Sequence, residues 1–302
     1  MSLLVKYAKI KAFKFISKKG ANMSRKPFVP ADKLSKLWRA IIEFDMLSPG
    51  DRILIGLSGG KDSMLLTAML AEIRQHSPIP FDLACYTVNT MFSPDFPKEK
   101  LEAFCAQYGL EHYSDDVDVM EAHKKKGGSP CFTCAYFRRA VTNRRAKELG
   151  FNKVALAHHH DDAVETFFMN IMTSGQLRTF LPVTPLSRTG ITVLRPMLYY
   201  RESEVRELIE LLQLQPLKNP CPYDGNTTRQ DVKEHIAELN DRYPQVYDHL
   251  GAAMRNSDNW ELWPQKQNQK ELLEKFHKFW GKKKITLNTT ERKRTTYPGP
   301  GY

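Results

Sequence analysis

A lysine, an aspartate and two serines stand among glycines in Ser58-Gly59-Gly60-Lys61-Asp62-Ser63. The stretch follows an apolar run, Ile53-Leu54-Ile55-Gly56-Leu57, and leads into another, Met64 to Leu70. A strand, a glycine turn and a helix start in that order aim unpaired backbone N–H groups and the positive end of a helix dipole at one point, which makes an anion site. Lys61 adds a point charge there, so the anion expected is a nucleotide phosphate. The ordinary P-loop does not fit. It needs a glycine where Ile55 stands and a Ser or Thr directly after the lysine, where Asp62 stands. A glycine-rich βα turn with no ligand is the plain alternative.

Sulfur is the second chemical resource, with cysteines at 85, 105, 131, 134 and 221. Cys85 and Cys105 lie among apolar neighbours and read as buried thiols. Cys131-Phe132-Thr133-Cys134 follows the flexible turn Gly127-Gly128-Ser129-Pro130, and Cys221 lies between Pro220 and Pro222. A C-x-x-C brings two thiolates onto one ion or cluster, and a distant loop cysteine can complete a three-sulfur face. Three thiolates are one short of the four that enclose structural zinc or a [4Fe–4S] cluster, so a three-cysteine cluster leaves one iron open to an exogenous ligand. Three other readings stay open at this point. Cys131 and Cys134 could be a redox pair, or a thiolate of lowered pKa beside a helix start could relay a persulfide to Cys221. Zinc could also be completed by His123 or Asp224.

Ala157-His158-His159-His160-Asp161-Asp162 ends an apolar segment and opens a helical one. At a strand's carboxyl end, a carboxylate can hold Mg²⁺ on phosphates and a histidine can orient them. Consecutive residues cannot all face one ion, and Asp161 would serve equally as a helix cap.

The elements that must position these groups alternate. Strands are expected over 52–57, 81–89, 111–115, 152–157 and 191–195, with helices over 63–76, 97–108, 132–149, 161–173 and 201–213. Strands separated by such helices imply right-handed βαβ units, a parallel sheet, and a site at the strands' carboxyl ends. The fold class expected is α/β, a Rossmann-like nucleotide-binding domain with helical additions at both ends.

The phosphate loop resembles the SGGxDS loop of the N-type ATP pyrophosphatases (the PP-loop superfamily), whose members cut ATP between the α and β phosphates. With the central C-x-x-C, the distal Cys221 and the His158–Asp162 segment in the same order, residues 35–255 resemble the tRNA 2-thiocytidine synthetase family. That resemblance implies an ATP-dependent tRNA sulfurtransferase using ATP, Mg²⁺ and a [4Fe–4S] cluster, which adenylates a pyrimidine carbonyl oxygen and replaces it with sulfur at tRNA position 32. It implies pyrophosphate binding by Ser58, Gly59, Gly60, Lys61, Asp62 and Ser63, ATP contacts by His158 and by Asp161 or Asp162, and a cluster on Cys131, Cys134 and Cys221. Lys61, Arg138 and Asp161 are the catalytic residues implied. Arg138, one helical turn past Cys134, is expected to meet the adenylate. A sulfur donor such as a cysteine desulfurase follows, and a homodimer is among the expected assemblies. One departure is visible: family members often carry a second cysteine three residues after the distal one, where this chain has Asp224. An amide- or amidine-forming ligase of the same loop family, with structural zinc, is the alternative.

With 41% apolar and 26% charged residues among 302, the chain has the length and composition of a soluble globular protein, expected in the cytoplasm, and no apolar run reaches membrane-spanning length. The two ends hold more than the whole of the net charge of +11. A basic arm is expected over 1–30, with a helix over 3–18, and a disordered basic tail over 283–302. Between them lie a PP-loop domain over 31–220 with the C-x-x-C inserted, and a helical region over 221–282, helical from about 228 to 280. Lys124, Lys125, Lys126, Arg138, Arg139, Arg144, Arg145 and Lys147 have no acid among them, so a polyanion is the expected partner, and tRNA the best candidate.

Overall fold

The computed structural model describes residues 28–92, 96–119, 121, 130–217, 221, 227–255, 270, 271, 273 and 274. Among the described residues six strands form one sheet: β1 Asp51–Gly56, β2 Phe81–Asn89, β3 Glu111–Asp116, β4 Lys153–Ala155, β5 Val183–Leu186 and β6 Ile191–Leu194. Their spatial order is β3-β2-β1-β4-β6-β5, parallel except for the β5–β6 edge pair. The helices are α1 Ser35–Glu43, α2 Lys61–His76, α3 Lys98–Gln107, α4 Pro130–Glu148, α5 His160–Ser174, α6 Glu202–Leu211, α7 Thr228–Arg242 and α8 Val246–Ala253.

The period-2 geometry of β1 sends its apolar run to both faces of the sheet. Ile53 and Ile55 enter the larger core with α1, α2, α3 and α6, while Leu54 packs with Ala84, Tyr86, Val154 and Ala146 on the side covered by α4. Each such fully buried Ile or Leu contributes about 1.5–3 kcal/mol of transfer free energy. In α2 every residue from Ser63 to Ile73 is buried, which is why its sequence shows no amphipathic stripe. A third, smaller core joins Val164 of α5 to Val232 and Ile236 of α7 and Tyr247 of α8.

From β1 the chain moves out through β2 to β3, then returns to add β4 on β1's other side. That reversal opens a crevice at the carboxyl ends of β1 and β4, where ligands bind in open α/β sheets. The phosphate loop follows β1 and His158–Asp162 follows β4, so the topology brings these two segments to one place.

Two expectations need correction. β5 is a strand where none was expected: it forms a hairpin with β6 closed by Gly190 at φ +75°, and its Pro185 is tolerated because β5 is an edge strand. The long helix expected from 228 is broken at Tyr243-Pro244 into α7 and α8, since a proline cannot continue the backbone ladder. The expected helix over 3–18 and the tail 283–302 lie outside the described residues, as do Lys124–Lys126, His123 and Asp224. No helix among the described residues is long and apolar enough to cross a membrane.

Candidate active site

Gly60 ends the phosphate loop as the N-cap of α2 and supplies no side-chain cap, so the first N–H groups of that helix face outward without an intrahelical acceptor. The loop is pinned by its serines. Ser58 N–H donates to Ser63 Oγ at 3.1 Å, Ser63 Oγ donates to the Gly60 carbonyl at 3.0 Å, and Gly60 N–H donates to Ser58 Oγ at 3.3 Å. Gly59 has φ +82°, a conformation that favours glycine, and a Cβ there would lie 2.8 Å from Leu217. Leu217 N–H in turn donates to the Gly59 carbonyl at 2.8 Å, which ties the segment leading towards Cys221 to the phosphate loop.

Ser58, Asp62 and Ser63 line a cavity of about 630 Å³. Its other walls include Tyr86 and Val88 of β2, His158 and Asp162, Arg195 after β6, and one side of α4 with Tyr136, Arg138 and Arg139. Lys61 is turned aside: its Nζ lies 2.9 Å from Asp62 Oδ1 and 3.4 Å from Glu202 Oε1. Glu202 also pairs with Lys233 at 2.5 Å and Arg206 at 2.8 Å. Burial alone would raise its pKa, but the hydrogen bond from Lys233 and the charges of Lys61 and Lys233 outweigh burial and hold it at about 2.

The three histidines go three ways. His158 lines the cavity against Phe180, ring centroids 5.0 Å apart, and burial lowers its pKa to about 4, so it stays neutral at physiological pH. His159 caps α5: its Nδ1 accepts from Asp162 N–H at 3.4 Å, while its own N–H donates to Asp162 Oδ2 at 2.9 Å. Its Nε2 lies 3.8 Å from Asp62 Oδ1. His159 therefore stands between the two segments, whereas His158, the histidine expected at the ATP, is the one that lines the cavity. His160 turns away, 2.6 Å from where a Cβ on Gly251 of α8 would sit.

The two acids also diverge. Asp162 lines the cavity and faces Arg229 at 3.3 Å. Asp161 does not line it: Arg201 Nε donates to Oδ2 at 3.0 Å and Nη2 to Oδ1 at 3.2 Å, and Glu202 N–H donates to Oδ2 at 2.9 Å. This side chain is occupied in joining the start of α5 to the start of α6. Of the two acids expected at the ATP, Asp162 lines the cavity and Asp161, expected to be catalytic, does not.

Cys131 is exposed, Cys134 buried and Cys221 half-buried. They lie close enough to act on one another. Burial, then the Cys221 charge, raises the Cys131 thiol against the pull of Arg138; burial also raises Cys134, with Arg138 lowering it by charge and hydrogen bond and both other cysteines raising it. Arg138 is thus the one cation that pulls both thiols of the C-x-x-C towards the thiolate. Among the described residues no three His, Cys, Asp or Glu side chains stand in geometry to enclose a single metal ion. The donor set of three soft thiols suits an iron–sulfur cluster, as it also suits zinc.

Arg145 is neutralised, contrary to the unopposed charge expected along this segment: Asp115 lies 3.3 Å away and Glu148 3.1 Å away, while Arg144 has Glu148 at 3.7 Å. The basic residues of α4 that line the cavity are Arg138 and Arg139.

Glu165, behind this site on α5, is only 4% exposed. Burial first, then the Asp162 charge, raises it from 4.5 to about 7, against Arg229 and Lys233. A carboxyl that keeps its proton in the folded chain, where the unfolded chain has lost it, costs stability as pH rises through that window. Thermal melts of Glu165→Gln should show its stability relative to the parental protein improving from pH 5 to pH 8. A pH-independent difference would mean simple packing.

Residues 31–239 match the family model of the PP-loop domain. The chain is 33% identical to the tRNA-cytidine(32) 2-sulfurtransferase of Dechloromonas aromatica (strain RCB), over 72% of this chain and 77% of that one. It is 34% identical to the enzyme of the same name from Ralstonia pickettii (strain 12J), over 74% and 71%. Among solved structures, the U34-tRNA thiolase NcsA from Methanococcus maripaludis, solved with its [4Fe-4S] cluster, superimposes with a TM-score of 0.61 at 24% identity, covering 74% of this chain and 76% of that one. The fold is thus shared with a thiolase, and by sequence the chain belongs to the PP-loop family and, within it, to the tRNA-cytidine(32) 2-sulfurtransferases.

Proposed function

We propose that this protein is an ATP-dependent tRNA sulfurtransferase that converts cytidine 32 of tRNA to 2-thiocytidine. The observation that carries this reading is one cavity of about 630 Å³ bounded by the phosphate loop and by the same helix that bears Cys131 and Cys134. Adenylation and sulfur delivery require that adjacency. The N–H groups at the start of α2, with Lys61, bind the pyrophosphate that leaves. Asp62 and Asp162, the two carboxylates lining the cavity, are the residues that would hold Mg²⁺ on the phosphates. The base carbonyl oxygen attacks the α-phosphorus, pyrophosphate departs, and a sulfur nucleophile then adds at C2 while AMP leaves with that oxygen.

Cys131, Cys134 and Cys221 would hold the cluster, which when bound supplies an iron with an exchangeable position for sulfur. Arg138 lines the cavity and its charge reaches Cys131 and Cys134, so it stands between the two half-reactions and stabilises negative charge on the adenylate as it forms. The sulfur comes from a separate donor such as a cysteine desulfurase, and the work is done in the cytoplasm, where the tRNA is.

Anaerobically reconstituted protein, given ATP, Mg²⁺, sulfide and tRNA, should release pyrophosphate and yield 2-thiocytidine on mass analysis of the digested nucleosides. Pyrophosphate release with an unmodified base would favour a ligase of the same loop family. Arg138→Ala should lower thiolation about 10²–10³-fold, with Arg138→Lys recovering part of it. An unaffected Ala variant would remove the arginine from the reaction.

A further inference from the structure

Arg195 stands directly after β6, at the carboxyl end of a sheet strand, and lines the cavity. Its Nη1 donates to the Leu181 carbonyl at 2.6 Å and to Thr184 Oγ1 at 3.0 Å, and its guanidinium lies 5.0 Å from the centre of the Phe180 ring. These contacts fix the plane of the group. Its Nε is buried with no hydrogen-bond partner. The Nε–Nη2 edge, the fork that arginine offers to a phosphate, thus carries no protein acceptor among the described residues.

No carboxylate among the described residues pairs with this cation. The groups that act on it are burial first and then the charge of Arg139, which also lines the cavity, and together they pull the guanidinium down to about 10. The nearby His158 is held neutral by its own burial, and the Arg195 charge reinforces this. A half-buried cation whose Nε is fully buried without a partner or counter-ion is costly, and a second cation beside it makes it more so, unless an anion joins them. A ligand phosphate supplies that anion.

We infer that Arg195, with Arg139, forms a second phosphate-binding site in the cavity, additional to the Ser58–Ser63 loop. The inference rests on the reading that nucleotide and RNA meet here. The phosphate is either the α-phosphate of the nucleotide or a backbone phosphate of the RNA beside the reacting base.

Calorimetry on the full chain with AMP, adenosine and a short RNA stem-loop separates these sources. If the α-phosphate sits here, Arg195→Met weakens AMP about tenfold or more, leaves adenosine unchanged, and Arg195→Lys recovers much of the loss. If an RNA phosphate sits here, AMP and adenosine are unchanged, stem-loop affinity falls about tenfold, and the slope of log affinity on log salt shrinks by about one. A folded Arg195→Met protein with parental affinity for all three overturns the site. Should that variant fail to fold, Arg139→Gln, on an exposed position of α4, reads the same anion, and unchanged AMP and stem-loop affinities there overturn it equally. A parental protein that binds neither AMP nor RNA overturns both this inference and the functional reading, whereas binding that ignores both arginines overturns the inference alone.

Discussion

Lys61→Ala is expected to cut ATP-dependent pyrophosphate release by about two to three powers of ten while leaving the melting temperature within about 3 °C of the parental protein. The rate loss follows from removing the one side-chain cation in a loop that otherwise offers only backbone N–H groups to the departing pyrophosphate. Stability is spared because Lys61 supports no packing. Its partner Glu202 keeps Lys233 at 2.5 Å and Arg206 at 2.8 Å, so the carboxylate is not left uncompensated. The lysine itself is 26% exposed and its ion pairs are worth at most about 1 kcal/mol. To reach a phosphate, Nζ must leave Glu202, which two other cations make inexpensive. Lys61→Arg should not restore the rate fully, since the broader guanidinium replaces a point charge in a tight turn. Pyrophosphate release at the parental rate by the Ala variant would show that the loop does not bind the leaving group as assigned.

The parts of this site that could be read from sequence are those whose cause is local. Ser58–Ser63 announces itself because a strand, two glycines and a helix start must follow one another in the chain to make an anion site, and α2 duly begins at Lys61. Cys131 and Cys134 are legible for the same reason, being three residues apart. The alternating elements also announce a parallel sheet with its site at the strands' carboxyl ends, while the reversal of strand order at β1, which brings the loop and His158–Asp162 to one crevice, is visible only in the fold.

What stayed hidden depends on contacts between distant residues. Asp161 and Asp162 read alike from sequence, and only the fold shows Arg201, forty positions along the chain, in a two-point pair with Asp161. Arg145 looked unopposed until β3 brought Asp115 to 3.3 Å. Other misses had a signal. His159-x-x-Asp162 has the reciprocal spacing of a capping box, with an imidazole nitrogen in place of the usual hydroxyl. Arg195 is a lone charge at the end of the apolar strand Ile191–Leu194, the position from which ligand-binding groups project in a parallel sheet. β5 was detectable from the Ser187–Gly190 turn ahead of that strand, but Pro185 argued against it, because a proline is acceptable in a strand only where no neighbour needs its N–H.

Cys221 provides the most demanding test, because nothing local assigns it to the C-x-x-C. It is joined to the site by the structure: Leu217, four residues earlier, donates to Gly59, and the Cys221 charge acts on both Cys131 and Cys134. If the three thiols hold one cluster, Cys131→Ser, Cys134→Ser and Cys221→Ser should each lose most of the bound iron, the acid-labile sulfide and the brown colour, and thiolation should fall below detection with them. Cys85→Ala and Cys105→Ala should keep all four, since both residues are fully buried in the large core between the sheet and α2 and α3, away from the cavity. The metal content is read independently of turnover, so a loss of activity through misfolding is separated from loss of the cluster. Tight pyrophosphate chemistry should survive better than thiolation in the three Ser variants, because its groups lie on the phosphate loop. A Cys221→Ser protein with a full iron complement and normal thiolation would leave Cys131 and Cys134 to act as a pair without it.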